Sequence, residues 1–303
     1  MRGKINAVLI ILVLAGICMM FAGFTGGAKT SFYVDRSGIH LDESNGGAKV
    51  GFFQPGRASS GDAIEIKNDD LPRFNSVEAE LIDMDIILEV SPFYGIELRY
   101  DEMRDISWEI RNEKLTVVDN TTKKGVSFAF GFFFGQSQKT YLIVRAPKDA
   151  LNEITAKTVS GKIEISGFVS QKIYATTVSG NISAKSTEAG SLKTASVSGR
   201  ISASDISARE FECETASGRI ELSGFFAERA TTKSVSGKIS ANIDAAPGEY
   251  LVKLSTVTGS ARIDGRKITF AERSETATIG EGGNAKYSWS STTVSGGIDL
   301  TFR

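Results

Sequence analysis

A Ser-Gly pair recurs at a fixed interval through the C-terminal half of the chain, and this repeat limits the fold more than any other feature. Five copies follow one another at intervals of 19 residues: Ser160-Gly161, Ser179-Gly180, Ser198-Gly199, Ser217-Gly218 and Ser236-Gly237. Three later copies are less regular: Thr258-Gly259, the degenerate Thr278-Ile279-Gly280, and Ser295-Gly296. A fixed period near 20 residues is typical of a chain built from stacked units that bury one shared core.

Apolar residues keep step with this repeat and alternate as they do in β-strands. An isoleucine stands two residues after six of the glycines: Ile163, Ile182, Ile201, Ile220, Ile239 and Ile298. A second apolar set stands further along four of the repeats: Ile173, Leu192, Phe211 and Ala230. A third apolar column directly precedes the Ser or Thr: Val159, Val178, Val197, Ala216, Val235, Val257 and Val294. Two strands per repeat predict an all-β fold, a parallel β-solenoid with right-handed coils of about 19 residues.

The upstream half is also rich in strand-forming residues. Its apolar segments are separated by Gly, Pro, Asn and Asp, and they span residues 77–87, 95–100, 106–110, 115–118 and 140–146. These segments are predicted to be irregular first coils of the same solenoid, with a cap that protects the open end of the stack. The solenoid domain is therefore predicted to span residues 75–303, with regular repeats from about residue 156. Residues 30–74 are predicted to be an irregular linker or cap.

The N-terminus has the pattern of a targeting segment. Arg2 and Lys4 precede an apolar run from Ile5 to Phe24, and the next charged residue is Lys29. About 20 apolar residues can cross a bilayer, and basic residues ahead of them favour an inside N-terminus. Residues 1–29 are thus predicted to form a signal-anchor or transmembrane helix, which contacts the membrane through residues 5–24 and leaves the bulk outside the cytoplasm. The alternative is cleavage near Gly26-Gly27-Ala28 and secretion.

Charge and chemistry narrow the function classes. Lys plus Arg total 35 and Asp plus Glu total 36, so the near-neutral chain argues against nucleic-acid binding. The only histidine is His40, and the two cysteines, Cys18 and Cys213, are expected on opposite sides of the membrane boundary. We therefore predict no disulfide, no catalytic residues, no metal site and no cofactor, with Cys213 as a small buried residue.

The chain resembles a known family at several of these motifs. They are the strand ending in Ala146-Pro147, the Thr-Val-Ser-Gly-x-Ile copies, and the closing segment from Thr293 to Leu300. Over about residues 75–303 the sequence is similar to the bacterial putative-adhesin family, also called toastrack domains. The resemblance implies a β-solenoid of largely unknown biochemical function. It also implies tethering to a membrane and a link with sensing of envelope stress, as in many members.

Two surfaces are candidates for contact with a partner. Phe132, Phe133 and Phe134 are consecutive, so they cannot all face one side of a strand, and they are predicted to contact a partner or a bilayer or to form part of a cap. The position after the repeat Gly holds Lys162, Arg200, Arg219 and Lys238. Stacking would align these four cations into a stripe that could hold a polyanion or lipid headgroups. The simpler interpretation of the stripe is an outward polar column, partly neutralised by Glu164 and Glu221.

The sequence thus favours a non-catalytic, membrane-anchored extracytoplasmic scaffold that binds an envelope protein or a wall polymer. One alternative is a carbohydrate-active parallel β-helix enzyme, although the constant 19-residue spacing leaves little loop length for a catalytic groove. Another alternative is a structural solenoid that assembles with itself through its ends or edges. The sequence alone leaves the oligomeric state open.

Overall fold

The computed structural model describes residues 31–35, 38–42, 63–102, 104–121, 139–270, 276–279 and 285–303. The chain divides into two compact units, residues 1–58 and 59–303. The described part of the first unit is an antiparallel hairpin of β1 (Ser31–Asp35) and β2 (Gly38–Asp42). The helix predicted within residues 1–29 lies outside the described residues. In the described part of the chain, no helix has the length and apolar character needed to span a membrane.

The second unit consists almost entirely of strands. In its first part these are β3 (Ala63–Asn68), β4 (Ser76–Glu80), β5 (Asp85–Val90), β6 (Gly95–Asp101), β7 (Ile106–Arg111), β8 (Lys114–Asp119), β9 (Tyr141–Ala146), β10 (Glu153–Thr158) and β11 (Ile163–Ser166). The repeats follow as β12 (Val169–Thr177), β13 (Ile182–Ser196), β14 (Ile201–Thr215), β15 (Ile220–Ser234) and β16 (Ile239–Ile243). A 3-10 helix at Pro247–Glu249 precedes β17 (Tyr250–Thr256), β18 (Ser260–Ile263), β19 (Arg266–Ile268), β20 (Thr276–Ile279), β21 (Tyr287–Thr293) and β22 (Gly297–Phe302).

The strands stack in parallel and in register, which confirms the predicted β-solenoid. Ile163 pairs with Ile182, Ile182 with Ile201, and Ile201 with Ile220, so each coil places its isoleucine on that of its neighbour. A coil consists of one strand, a corner and a second strand, and in coils 3 to 9 the corner contains a Ser-Gly or Thr-Gly pair. We number the described coils 1 to 9 along the stack. Coils 1 to 3 consist of β8 and β9, of β4 and β5, and of β10 and β11; coil 4 consists of β12 and the start of β13. Coil 5 consists of the end of β13 and the start of β14, coil 6 of the end of β14 and the start of β15, coil 7 of the end of β15 and β16, coil 8 of β21 and β22, and coil 9 of β17 and β18.

The order of the coils in space differs from their order in the chain at both ends of the stack. Coil 2 comes first in the chain, yet it lies between coil 1 and coil 3, because β4 pairs with both β8 and β10. At the other end, coil 8 comes last in the chain, yet β21 pairs with both β15 and β17. The chain therefore skips a layer after coil 7, builds coil 9, and returns to fill the vacant layer.

Antiparallel strands cover both ends of this stack in the described residues. β6 and β7 pair antiparallel with the two strands of coil 1, and β3 pairs antiparallel with β6. β19 and β20 pair antiparallel with the two strands of coil 9. Thr278 and Ile279 therefore belong to a capping strand, and the predicted degenerate repeat there is wrong, because antiparallel pairing cannot continue a parallel coil. β3 lies in the segment predicted as a linker or cap, and it forms part of the first cap.

The core follows the column pattern of the sequence. The isoleucine column and the second apolar column are buried, with exposures of 0–1% at Ile163, Ile201, Ile220, Leu192 and Phe211. Aromatic side chains fill the core in the later coils. Phe211 on β14 contacts Phe225 on β15, with ring centroids 4.6 Å apart. Each such side chain stabilises the fold by about 1.5–3 kcal/mol through removal of apolar surface from water.

Glycine is required at the corners because successive coils approach one another closely there. A Cβ on Gly180 would lie 1.8 Å from the carbonyl oxygen of Gly161, and a Cβ on Gly199 would lie 1.7 Å from that of Gly180. Real Cβ atoms do not come within 3.0 Å of such an oxygen. The close approach of backbones, rather than an unusual φ angle, therefore explains the repeated glycine.

A column of buried hydroxyl groups completes each corner. Ser196 is typical: its Oγ accepts a hydrogen bond from the amide of Gly199 at 2.9 Å and donates one to the carbonyl of Gly180 at 3.4 Å. At the other corners the glycine amide donates the same hydrogen bond to the hydroxyl of Thr158, Thr177, Thr215, Ser234, Thr256 or Thr293. These hydroxyls satisfy corner amides that would otherwise be buried without a partner.

Candidate binding surfaces

The predicted basic stripe forms an aligned column, but its cations are paired with carboxylates. Lys162 lies 3.0 Å from Glu164, and both Arg219 and Arg200 contact Glu221, at 3.1 and 3.8 Å. Further along the stack Lys238 contacts Asp299 at 2.6 Å, and Arg262 contacts the same carboxylate at 3.6 Å. The column therefore has the partial neutralisation that the sequence predicted, and it presents alternating charge to the solvent.

The strands that precede the Ser-Gly corners carry paired charges of their own. Glu212 contacts both Lys193 at 3.1 Å and Lys233 at 3.4 Å, and Lys233 also contacts Glu214. A hydrogen bond to Glu212 raises the pKa of Lys193. Surface pairs of this kind contribute little stability each, about 0–1 kcal/mol. These pairs neutralise part of the surface charge, whereas Lys172 and Arg229 on the same strands form no ion pair within the described residues.

The third apolar column lies on the outside of a corner instead of in the core. Val159, Val178 and Val257 are 45%, 46% and 54% exposed, whereas Val197 and Val235 are partly buried. Their neighbours Ser179 and Ser198 make only long hydroxyl bonds to the preceding coil, at 3.5 and 3.4 Å. The apolar pattern that marks the repeat is thus a solvent-facing ridge at this position.

A groove runs along a second corner of the coils, which sequence reasoning missed. Gly167, Ser186, Asp205 and Gly224 stand there in successive coils with positive φ angles of 83°, 49°, 53° and 54°. Their 19-residue spacing and their turn-forming side chains are a sequence signal that could have revealed this corner. The left-handed backbone turns the chain sharply and leaves an open cavity of about 460 Å³.

Three carboxylates, the exposed cation Lys148 and one aromatic ring line this groove. Glu188, Asp205 and Asp244 are exposed, and no cation of the described residues forms an ion pair with them. Phe226 is half-buried in the wall, and its ring packs edge-on against Tyr287 with centroids 5.0 Å apart. The groove therefore offers a net negative charge, from three carboxylates against one lysine, beside an apolar surface.

The remaining predictions concern Cys213, the Phe-rich segment, metal binding and the coil corners. Cys213 is fully buried, as predicted, and burial raises the pKa of its thiol to about 12, so it is unreactive near neutral pH. Phe132, Phe133 and Phe134 lie outside the described residues. Among the described residues no cluster of His, Cys, Asp and Glu could hold a metal ion. The coil corners between Ser160 and Gly237 carry no long loops.

Comparison with known proteins agrees with this architecture. Residues 99–244 match the family model described as Toastrack DUF4097. This stretch of the chain belongs to the toastrack family. The toastrack match covers coil 1 and coils 3 to 7, and parallel pairing adds coil 2 between coils 1 and 3 and coil 8 beyond coil 7. No curated protein matches the sequence.

Solved structures share the toastrack fold at low sequence identity. A protein described as a putative adhesin from Bacteroides fragilis is 16% identical, with 79% of this chain and 97% of that chain covered and a TM-score of 0.50. A second putative adhesin, from Parabacteroides distasonis, is 13% identical, with 80% and 98% covered and a TM-score of 0.42. A protein from the same species, described as a putative lipid binding protein, is 16% identical, with 80% and 97% covered and a TM-score of 0.44. At such identities the likeness concerns the fold alone.

Proposed function

We propose that this chain is a non-catalytic binding protein of the cell envelope, similar in role to an adhesin. The observation that carries the proposal is the open groove, where Glu188, Asp205 and Asp244 lie without an ion-pair partner among the described residues, beside Phe226 and the single lining cation Lys148. A stack of coils with a groove along one corner suits the binding of an extended ligand. Free carboxylates beside Phe226 favour a segment that carries amino groups, in an envelope protein or a wall polymer.

The proposed location follows from the N-terminal sequence. Residues 5–24 would anchor the protein in the membrane, with the solenoid outside the cytoplasm; a secreted form after cleavage is the alternative. Protease treatment of intact cells should digest the solenoid only if it is outside, and the membrane fraction should lose the protein when residues 1–29 are deleted. Protection of the solenoid in intact cells would contradict this location.

The binding role is tested with a groove variant and a matched variant of the basic column. The groove variant combines Glu188→Gln, Asp205→Asn and Asp244→Asn, where Asn tolerates the left-handed backbone at residue 205. The matched variant combines Glu164→Gln, Glu221→Gln and Asp299→Asn, and it also removes three carboxylates. The measurement is retention of the full chain on envelope fragments of the host. The groove variant should be retained less than the wild type. Added salt should weaken the retention of the wild type.

The outcomes separate the alternatives. Unchanged retention of the groove variant would reject the groove as the contact surface. Stronger retention of the matched variant alone would favour polyanion binding by Lys162, Arg200, Arg219 and Lys238, because the substitutions remove carboxylates that pair with these cations. Loss of retention only when Phe132, Phe133 and Phe134 are changed to Ser would place the contact there. Release of reducing sugar from wall polysaccharide would favour the alternative of a carbohydrate-active β-helix enzyme.

A further inference from the structure

Coil 8 is the one coil whose two flanking layers are built before it in the chain. Residues 229–243 of coil 7 run through the short 3-10 helix into coil 9 at residues 250–263, and coil 8 follows at residues 287–302. β21 pairs in parallel with β15 on one side and β17 on the other, and β22 does the same with β16 and β18. Coils 7 and 9 therefore form the two walls of a slot, which we call the coil-8 slot.

The walls of the coil-8 slot present backbone groups that need a strand between them. The carbonyl of Val235 accepts hydrogen bonds from the amides of Val294 and Ser295, at 3.1 and 3.0 Å. On the other side, the amides of Val257 and Thr258 donate to the carbonyl of Val294, at 3.2 and 2.9 Å. An empty slot would leave these groups unpaired on two facing edges, which is the arrangement that recruits another β-strand.

The side chains of the slot fit the sequence of coil 8 closely. The buried hydroxyl of Thr232 lies 2.6 Å from that of Ser291, which also accepts a hydrogen bond from Nε1 of Trp289 at 2.7 Å. The Trp289 ring lies between Phe225 and Tyr250, with centroid distances of 5.8 and 6.4 Å. At the corner, a Cβ on Gly296 would lie 1.9 Å from the carbonyl oxygen of Gly237, so only glycine fits.

Nothing in these contacts requires that coil 8 and the slot belong to the same molecule. Seven residues, 280–286, join β20 to β21, and fully extended they span about 23 Å. Every contact of coil 8 with the slot is identical when a second copy supplies it, so exchange costs chiefly the entropy of association. The sequence known to fit the slot is coil 8 of this chain, which makes a second copy the matching partner.

We propose that two copies of this chain exchange coil 8 and form a domain-swapped dimer, in which the slot of each copy is filled by residues 287–302 of the other. The dimer is closed, because both slots are filled, and its fraction rises with protein concentration. It differs from end-to-end assembly of solenoids, since antiparallel strands cover both ends of the stack.

Two single-cysteine variants of the full chain test the exchange, in a background where Cys18 is changed to Ser and Cys213 to Ala. Thr231 and Ser290 are register partners on β15 and β21, and both are partly exposed, so Thr231→Cys and Ser290→Cys should each fold. The two variants are mixed at high concentration, equilibrated in mild denaturant, returned to buffer and oxidised. Exchange places residue 290 of one copy beside residue 231 of the other, and a disulfide-linked heterodimer is expected on a non-reducing gel.

The matched control uses Ser183→Cys mixed with Ser202→Cys. These residues are also partly exposed register partners, on β13 and β14, but they belong to adjacent coils that follow one another directly in the chain. Several-fold more covalent dimer from the first mixture than from the control is the expected result. Equal amounts, or none from either mixture, would overturn the proposal. Should one slot variant fail to fold, Arg229→Cys with Ser288→Cys probes the same layer and must give the same result.

Discussion

At the scale of single residues, the corner glycines are chosen by the distance between backbones. The carbonyl of one Gly lies where the Cβ of the next would stand, and this contact repeats from Gly161 to Gly237 and on through Gly296 to Gly259. The close spacing of the coils therefore explains the glycine of the repeated Ser-Gly motif. The hydroxyl that supports the corner from inside the core comes from the residue three positions before the Gly.

The first prediction concerns one of these glycines. In Gly218→Ala the new Cβ would lie 1.8 Å from the carbonyl oxygen of Gly199, so coils 5 and 6 must separate and the free energy of unfolding should fall by about 1–3 kcal/mol. Gly297→Ala is the control, because its Cβ would have 3.9 Å of clearance. Chemical denaturation of both variants measures the difference; equal stability would mean that close packing does not explain the motif.

The second prediction concerns a pH effect on the charge network near the first cap. Arg145 is largely buried and contacts Glu97 at 2.9 Å and Glu89 at 2.7 Å. The hydrogen bond from Arg145 lowers the pKa of Glu97 from its usual 4.5, despite partial burial, and a bond from Tyr141 adds to it. A carboxyl whose pKa is lowered by folding stabilises the fold above about pH 4.5, and this contribution is lost as the pH falls through the lowered value.

Thermal unfolding between pH 6 and pH 3 measures this contribution. The difference in melting temperature between the wild type and Glu97→Gln should shrink as the pH falls, since the variant lacks the titrating group. Glu109→Gln, at an exposed position on β7, is the matched control for the removal of one carboxylate. A constant difference between wild type and Glu97→Gln across this range would show that the network is not coupled to folding.

At the scale of elements, the long strands β13, β14 and β15 each belong to two coils. Each runs along one face, bends at the groove corner, and continues along the next face. The bend requires left-handed backbone, which Gly167 and Gly224 adopt easily and Ser186 and Asp205 adopt at some cost in free energy. The groove is therefore a consequence of how one strand passes between two faces.

The third prediction separates the two hydroxyls of one corner. Ser196→Ala removes the partner of a buried amide, so the free energy of unfolding should fall by about 1–3 kcal/mol. Ser198→Ala removes an exposed hydroxyl with a single long bond of 3.4 Å, and its effect should stay within about 0.5 kcal/mol. Denaturant titration of the pair decides which position supports the corner, and a larger loss in Ser198→Ala would reverse the assignment.

At the scale of the whole molecule, stability is distributed along a stack in which each coil contacts its neighbours. Interior coils gain hydrogen bonds and buried surface on two sides, whereas the edge strands β3 and β19 pair on one side within the described residues. Stacks of this kind behave approximately as a chain of coupled units. Their outer strands are expected to open before the centre does.

The fourth prediction follows from this gradient. Amide hydrogen exchange should be slowest in β14, at the middle of the stack, and fastest in β3 and β19. Coil 8 lies near one end, but it pairs on both sides, so its amides should be protected nearly as well as those of coil 7. Equal exchange rates in β14 and β19 would indicate that the solenoid opens as a single cooperative unit.

The sequence by itself determined the parallel stack, its 19-residue coil and the buried apolar columns, because regular spacing forces equivalent residues into one line. It also indicated the neutralised basic column, since Glu164 and Glu221 lie two residues beyond Lys162 and Arg219. Only the tertiary structure decided that the Val159 column faces solvent, that Thr278 and Ile279 belong to a cap, and that coil 8 enters between coils 7 and 9. Each of these depends on which strands pair across long stretches of chain, and local periodicity is the same for a strand that continues a stack, caps it or fills a layer within it.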